Sequence, residues 1–169
     1  MATIKFVKAR LKNSESMGGI APVIGNIHAA TGTTVRCVFP MRVLEFPFSR
    51  TAATWFIGEK SDGTGAGIVQ TLQVNGDRSG FTINRAGSKF NGATPSSSTV
   101  YKLNQWYIVE TFATLTGDLA KIVLGAPSNN NNQVSADFGE GMTLYLKGAT
   151  DEVVNAKVAE LKLKYGIAD

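Results

Sequence analysis

Residues 105–115 read "QWYIVETFATL", and how this stretch is read decides the fold. With successive side chains pointing to opposite faces of a strand, Trp106, Ile108, Glu110 and Phe112 share one face. Tyr107, Val109, Thr111, Ala113 and Leu115 share the other. One face is almost wholly apolar and one is mixed, the pattern of a long strand in a sheet that packs against a second layer. The aromatic pair Trp106 and Tyr107, entered from the polar step Asn104-Gln105, is thus expected to begin a largely buried strand.

The same alternation runs outward in both directions. In "TTVRCVFPM", Val35, Cys37, Phe39 and Met41 fall on one strand face, and Pro40 marks a bulge or a sheet edge because it has no N–H for a ladder. The segment "ATWFIGEK" makes a further short strand. "SDGTGAG" at 61–67 is a turn, and Ile68, Gln70, Leu72 and Val74 alternate after it. "NGD" at 75–77 is a hairpin signal, with Phe81 and Ile83 on the return strand. "SKFNGATPSSST" reads as a small-polar loop. "LAKIVLGA" is a strand, "PSNNNNQ" a loop tip, and "GMTLYLKG" a last strand with Met142, Leu144 and Leu146 inward.

The period changes only at the C-terminus. In "TDEVVNAKVAELKLKYGIAD", Val154, Val158, Leu161 and Tyr165 recur at helical spacing. Thr150 is the natural N-cap and Gly166 the left-handed stop. Asp151 and Glu152 complement the positive end of the dipole, Lys162 and Lys164 the negative end. The expectation is an all-β domain carrying one C-terminal helix.

Composition narrows the function. The 169 residues fit one domain, and 18 glycines favour short strands joined by turns. Cys37 is the only cysteine, so no internal disulfide forms and burial as a small hydrophobe is expected. The N-terminal "MATIKFVKARLKN" interleaves charge with apolar residues, unlike a signal peptide. No segment reaches the ~20 apolar residues that cross a bilayer. A soluble product made in the cytoplasm is expected. The net charge of +4 gathers at the ends, in Lys5, Lys8, Arg10 and Lys12 and in Lys157, Lys162 and Lys164. No aromatic residues alternate with these charges, so solvated terminal elements are expected and no nucleic-acid partner.

Catalytic patterns are missing from the string. Glycoside hydrolysis needs two carboxylates across a cleft, yet Glu59 and Asp62, Asp137 and Glu140, and Asp151 and Glu152 fall in turns or at the helix start. Glu110 is alone in its strand, as an edge carboxylate or one paired with a lysine. His28, the single histidine, has no nucleophile elbow nearby. One Cys and one His make no zinc site. "EKSDGTG" and "ADFGEG" each offer only one or two calcium ligands. No enzyme, metal or other cofactor is expected.

The order of strand, small-polar loop, "LNQWYIV" strand, hairpin and "MTLYLKGATDEVVNAKVAELKLKYGI" resembles the concanavalin A-like lectin/glucanase superfamily, and within it the laminin G-like domains of bacterial and bacteriophage proteins. Gln105-Trp106-Tyr107, Asp151-Glu152 through Leu161, and Lys164-Tyr165-Gly166-Ile167 carry the resemblance. It spans roughly residues 30–167 and is most specific in the C-terminal helix. It implies a two-sheet antiparallel jelly-roll sandwich over 31–169, preceded by an N-terminal arm or edge segment over 1–30, a strand or an amphipathic helix. That superfamily holds hydrolases, lectins and architectural modules. The resemblance, with no catalytic residues in view, implies a bacteriophage virion component that decorates a capsid or attaches to a tail, self-associates as a homo-oligomer, and anchors to its lattice through Lys5, Lys8, Arg10 and Lys12. The second reading is a sugar-binding module using Trp55, Phe90, Tyr101, Asn129, Asn130, Asn131 and Asn132.

Overall fold

The computed structural model describes residues 3–5, 9–11, 23–24, 32, 34–45, 50–52, 56–59, 74–77, 79–83, 88–96, 98–114, 121–124, 135–145 and 149–168. They form a mostly β protein whose strand pairings are all antiparallel, closed by one C-terminal helix. The main sheet is built on β4 (Thr34–Glu45), which pairs with β10 (Trp106–Thr114) from Thr34 to Arg42. β9 (Ser88–Phe90) extends that side. On the other side of β4 lie β12 (Ser135–Phe138) and β13 (Thr143–Tyr145), end to end. Outside them come β2 (Ala9–Leu11), on β12, and β1 (Thr3–Lys5), on β13.

Pro40 explains why that second side is broken. Gly139 N donates to Pro40 O at 2.9 Å, so this residue's backbone, with its missing donor, faces the β12 side. No ladder can pass a residue that cannot donate. The partner chain bulges there: Phe138 pairs with Met41 and Thr143 with Val38, which sets four residues opposite two. Pro40 thus sits in a central strand, with the bulge formed in its neighbour.

Two smaller sheets complete the strands. One holds β3 (Val23–Ile24), β11 (Lys121–Leu124) and β6 (Phe56–Glu59). The other holds β5 (Arg50–Ala52), β7 (Val74–Asp77) and β8 (Gly80–Ile83). The β7–β8 hairpin forms, with Asp77 opposite Gly80, so "NGD" lies inside the strand and not at the turn. The long-range fit sets this register. Phe81 and Tyr101 exchange backbone hydrogen bonds of 3.0 and 2.7 Å, and a slip of one residue would turn Phe81 away from its ring neighbours.

Both faces of the main sheet are covered. On one, Cys37, Phe39, Met41, Val43, Tyr107, Val109, Phe90, Ala136 and Phe138 are buried. Phe39 packs on Phe138 with centroids 5.8 Å apart, and Phe81 of β8 packs on Phe90 and Tyr107. The expected burial of Cys37 holds. On the opposite face lies α1 (Asp151–Lys164), whose Val154, Val158 and Leu161 pack with Val38, Ile108 and Tyr145. Tyr145 fills the place under the helix, while Met142 is buried at the bulge. Strands Ser88–Phe90 and Ser135–Phe138 occupy stretches whose sequence reads as loop and turn.

The helix ends follow the sequence closely. Thr150 Oγ1 accepts from Val153 N at 3.4 Å. At the other end Gly166 has φ +64°, Ile167 N donates to Lys162 O and Gly166 N to Leu163 O. This pair of bonds is a Schellman motif, with Ile167 folded onto the helix core beside Leu161. Among the described residues no helix is long and apolar enough to cross a membrane.

Candidate functional site

The buried ionisable side chains of the main sheet, Glu110 and Asp137, lie on the helix-covered face, near the two ends of the helix. Alternation that sends Cys37, Phe39 and Met41 one way sends Arg36, Val38, Pro40 and Arg42 the other. Arg36 pairs with Phe112 across β10 and stands diagonal to Glu110, while Lys89 lies directly opposite Glu110. Arg36 Nη2 donates to Glu110 Oε1 at 2.5 Å, and Nη1 donates to Asp151 Oδ1 at 2.7 Å and to Ala149 O at 2.9 Å. Lys89 Nζ stands 3.7 Å from Glu110 Oε2. One guanidinium therefore joins a carboxylate in the sheet, 1% exposed, to the start of the helix.

That arrangement has electrostatic consequences. Burial by itself would lower the pKa of Arg36, but its hydrogen bonds to Glu110 and Asp151 raise it overall, so the hub stays charged. The hydrogen bond from Arg36 holds the Asp151 carboxyl below its ordinary range, with the Arg36 charge adding to the effect.

A second cluster sits below the other end of α1. Arg42 pairs in register with Trp106 on one side and Asp137 on the other. Its Nε and Nη2 donate to Asp137 Oδ2 at 3.2 and 2.5 Å, and its guanidinium lies 4.8 Å from the Trp106 ring centroid. Trp106 in turn meets Tyr165, centroids 4.8 Å apart. Tyr165 Oη donates to Glu140 O at 3.1 Å, and Lys164 Nζ reaches Glu140 Oε2 at 3.3 Å. Trp106 is thus gripped by a cation and a phenol and pins the helix C-terminus to the bulge after β12.

These clusters revise two expectations. Glu110 is no edge carboxylate: it lies in a strand paired on both sides and answers chiefly to an arginine, with Lys89 as a more distant partner. Asp137 lies in β12, buried, rather than in a turn. Each acid is held by its own arginine, an arrangement that locks side chains and aligns strands. Among the described residues no three of His, Cys, Asp and Glu come together to hold a metal ion.

The residues considered for sugar contact divide. Phe90 and Tyr101 join Phe81 and Tyr107 in a four-ring cluster with centroid separations of 4.8 to 6.4 Å. Phe90 is buried and presents no face to a ligand, because it pairs with Val109 inside the sheet. Tyr101 is half-buried against Phe81. Tyr107 Oη accepts from Lys102 N at 2.8 Å, and burial raises the pKa of both phenols. Trp55, Asn129, Asn130, Asn131, Asn132 and His28 lie outside the described residues. Of the basic N-terminal set, Lys5 falls in β1 opposite Thr143 and Arg10 in β2 opposite Asp137; Lys8 and Lys12 lie outside the described residues.

Arg36 and Arg42 went unremarked in the sequence reading, although the signal was present. Two arginines six residues apart, on the face opposite Cys37, Phe39 and Met41, imply a covered face that holds counter-charges. Comparison of the chain with protein-family models and with curated protein sequences finds no match.

Proposed function

We propose that this chain is a non-catalytic structural and adhesion protein, a bacteriophage virion accessory component that decorates a capsid or attaches to a tail. Its frame in this reading is a two-sheet jelly-roll sandwich of the concanavalin A-like, laminin G-like kind. One observation carries the structural role: the buried ionisable groups of the main sheet are tied to one another and to the helix. Arg36 binds Glu110 and Asp151 and so fastens the start of α1, while Arg42 binds Asp137 and backs Trp106, which meets Tyr165 at the helix end. Enzymes keep perturbed acids free to meet substrate in a cleft. A lattice-binding module needs a rigid body that holds its faces in place.

Support for the sandwich comes from the sheet face away from the helix. It is largely apolar packing from Cys37 to Phe138, with Thr111 and Ser88 buried beside Cys37, and Phe81 from a separate sheet lies on it. A sheet closed by a helix on one face and by strands on the other is a layered β domain. Lys5, Lys8, Arg10 and Lys12 are the proposed anchor, and the surface they meet is an acidic protein lattice.

Cosedimentation with intact phage particles tests the reading, alongside binding to a glycan array. Retention on particles that falls when Lys5, Lys8, Arg10 and Lys12 are changed to Glu supports it. A chain that stays in the supernatant and is captured by glycans overturns it in favour of a sugar-binding module.

A further inference from the structure

The outer surface of α1 departs from what its packing requires. A helix laid on a sheet normally gathers its apolar residues on the covered side and shows polar ones to water. Here Val154, Val158 and Leu161 face the sheet, yet the exposed side carries Val153, Ala156, Ala159 and Leu163. At 100° per residue Ala156, Ala159 and Leu163 lie roughly opposite the buried three and Val153 on their flank, about 105° away, with Glu152 and Glu160 in the same arc. The apolar residues of the helix are distributed to both sides and nearly cancel around its axis. Leu163 is 86% exposed and Val153 39% exposed, so the two largest of the four stand open at opposite ends of the stripe.

We propose that this stripe is a self-association surface that takes α1 of a second copy of this chain in antiparallel orientation. Charge complementarity argues for that occupant. The first turn of α1 is acidic, with Asp151 and Glu152, and the last is basic, with Lys162 and Lys164. A two-fold axis through the midpoint of Val153 and Leu163 brings Val153 of each copy opposite Leu163 of the other. The same axis brings Glu152 opposite the second copy's Lys164, whose ion pair with Glu140 is solvent-exposed; Lys157 is paired with Glu160 of its own helix at 2.7 Å and takes no part. A parallel arrangement would set acid against acid and base against base. Ala156 and Ala159 at the centre let the two helices approach closely. The helix is about 21 Å long, a contact at the small end of interface sizes, so a weak, concentration-dependent dimer is expected.

The surface is independent of what else the protein binds, and it supplies a symmetric unit whether the chain sits on a lattice or in solution. Sedimentation velocity on the full chain from about 5 μM to 1 mM reads it directly. A reversible monomer–dimer equilibrium is expected, weakened at least about tenfold by Leu163→Glu with the thermal melt at low concentration unchanged. Glu152→Lys is expected to weaken it too, more at low salt than at high. Should Leu163→Glu disturb folding, Ala156→Glu on the same stripe must weaken association by itself. A chain that remains monomeric over the whole range, or a dimer indifferent to these substitutions, overturns the proposal.

Discussion

Replacing Arg36 with Met tests the electrostatic frame most directly. The side chain is 11% exposed and its main partner, Glu110, 1% exposed, so neither charge is well served by water. Methionine keeps an unbranched apolar stem but removes three hydrogen bonds: to Glu110, to Asp151 and to Ala149 O. The dominant loss is the first, because Glu110 is then stranded. Lys89 is too far to donate a hydrogen bond to Oε2, at 3.7 Å, and Oε2 is already a buried oxygen with no hydrogen-bond partner among the described residues. Breaking one side of a buried pair typically costs about 3–5 kcal/mol. At about 2 kcal/mol per molar urea this lowers the unfolding midpoint by roughly 2 M.

A double-mutant cycle separates the pair from the packing. Glu110→Leu with Arg36→Met replaces two charges by apolar volume and is expected to recover most of the loss, to within about 2 kcal/mol of the parent. Lys89→Met in the Arg36→Met background should cost more than Lys89→Met alone, because Lys89 is then the remaining neighbour of the carboxylate. The reasoning is refuted if Arg36→Met costs under about 1 kcal/mol, the range of solvent-exposed pairs, or if the double variant is no better than the single one.

Three further perturbations check other parts of the structure. The buried thiol of Cys37, its pKa pushed well up by burial alone, should resist alkylation in native protein and react only at the rate of global opening; prompt labelling would show that the covered face is open. In Gly139→Ala the new methyl would press on the Tyr165 hydroxyl and ring and stand 2.9 Å from Pro40 Cβ, and since Tyr165 is held by Trp106 and Glu140 O, a loss of about 1–3 kcal/mol is expected in urea titration, with no loss at all counting against the latch. Asp151 has a depressed folded pKa, so its contribution is present above the unfolded carboxylate pKa near ~3.9 and vanishes as pH falls through the folded value. The stability gap between the parent and Asp151→Asn should therefore close as pH falls from about 4 through the depressed folded value, and a gap that persists in acid would show that Arg36 does not hold this carboxylate.

How much of this was legible in the sequence follows the range of the interaction. The helix was readable to the residue, because its signals are local: Thr150, the acidic first turn, Gly166 and the spacing of Val154, Val158 and Leu161 all act within a few positions. The long strands β4 and β10 were readable from alternation. "SKF" and "SADF" were not, since three or four residues carry too short a period; these stretches become strands only because β10 and β4 offer unpaired edges to them. "NGD" misled for the complementary reason, a strong local turn preference that yields to the packing of Phe81 against Tyr101 and Tyr107.

The charge clusters show the same division at the level of the site. Sequence places Arg36 and Arg42 on one face and Glu110 on one face, but which acid meets which base depends on register: Arg42 meets Asp137 because β12 pairs with β4 in one alignment and not another. That alignment depends in turn on Pro40, whose missing N–H forces the bulge at Gly139, and on Gly139, whose lack of a side chain admits Tyr165. Tyr165 then brings the helix C-terminus over Trp106, the residue from which the strand reading began. Pro40 and Tyr165 stand 125 positions apart, and each is unremarkable alone. Their coupling through Gly139 fixes where α1 lies, and so which of its faces is left to water.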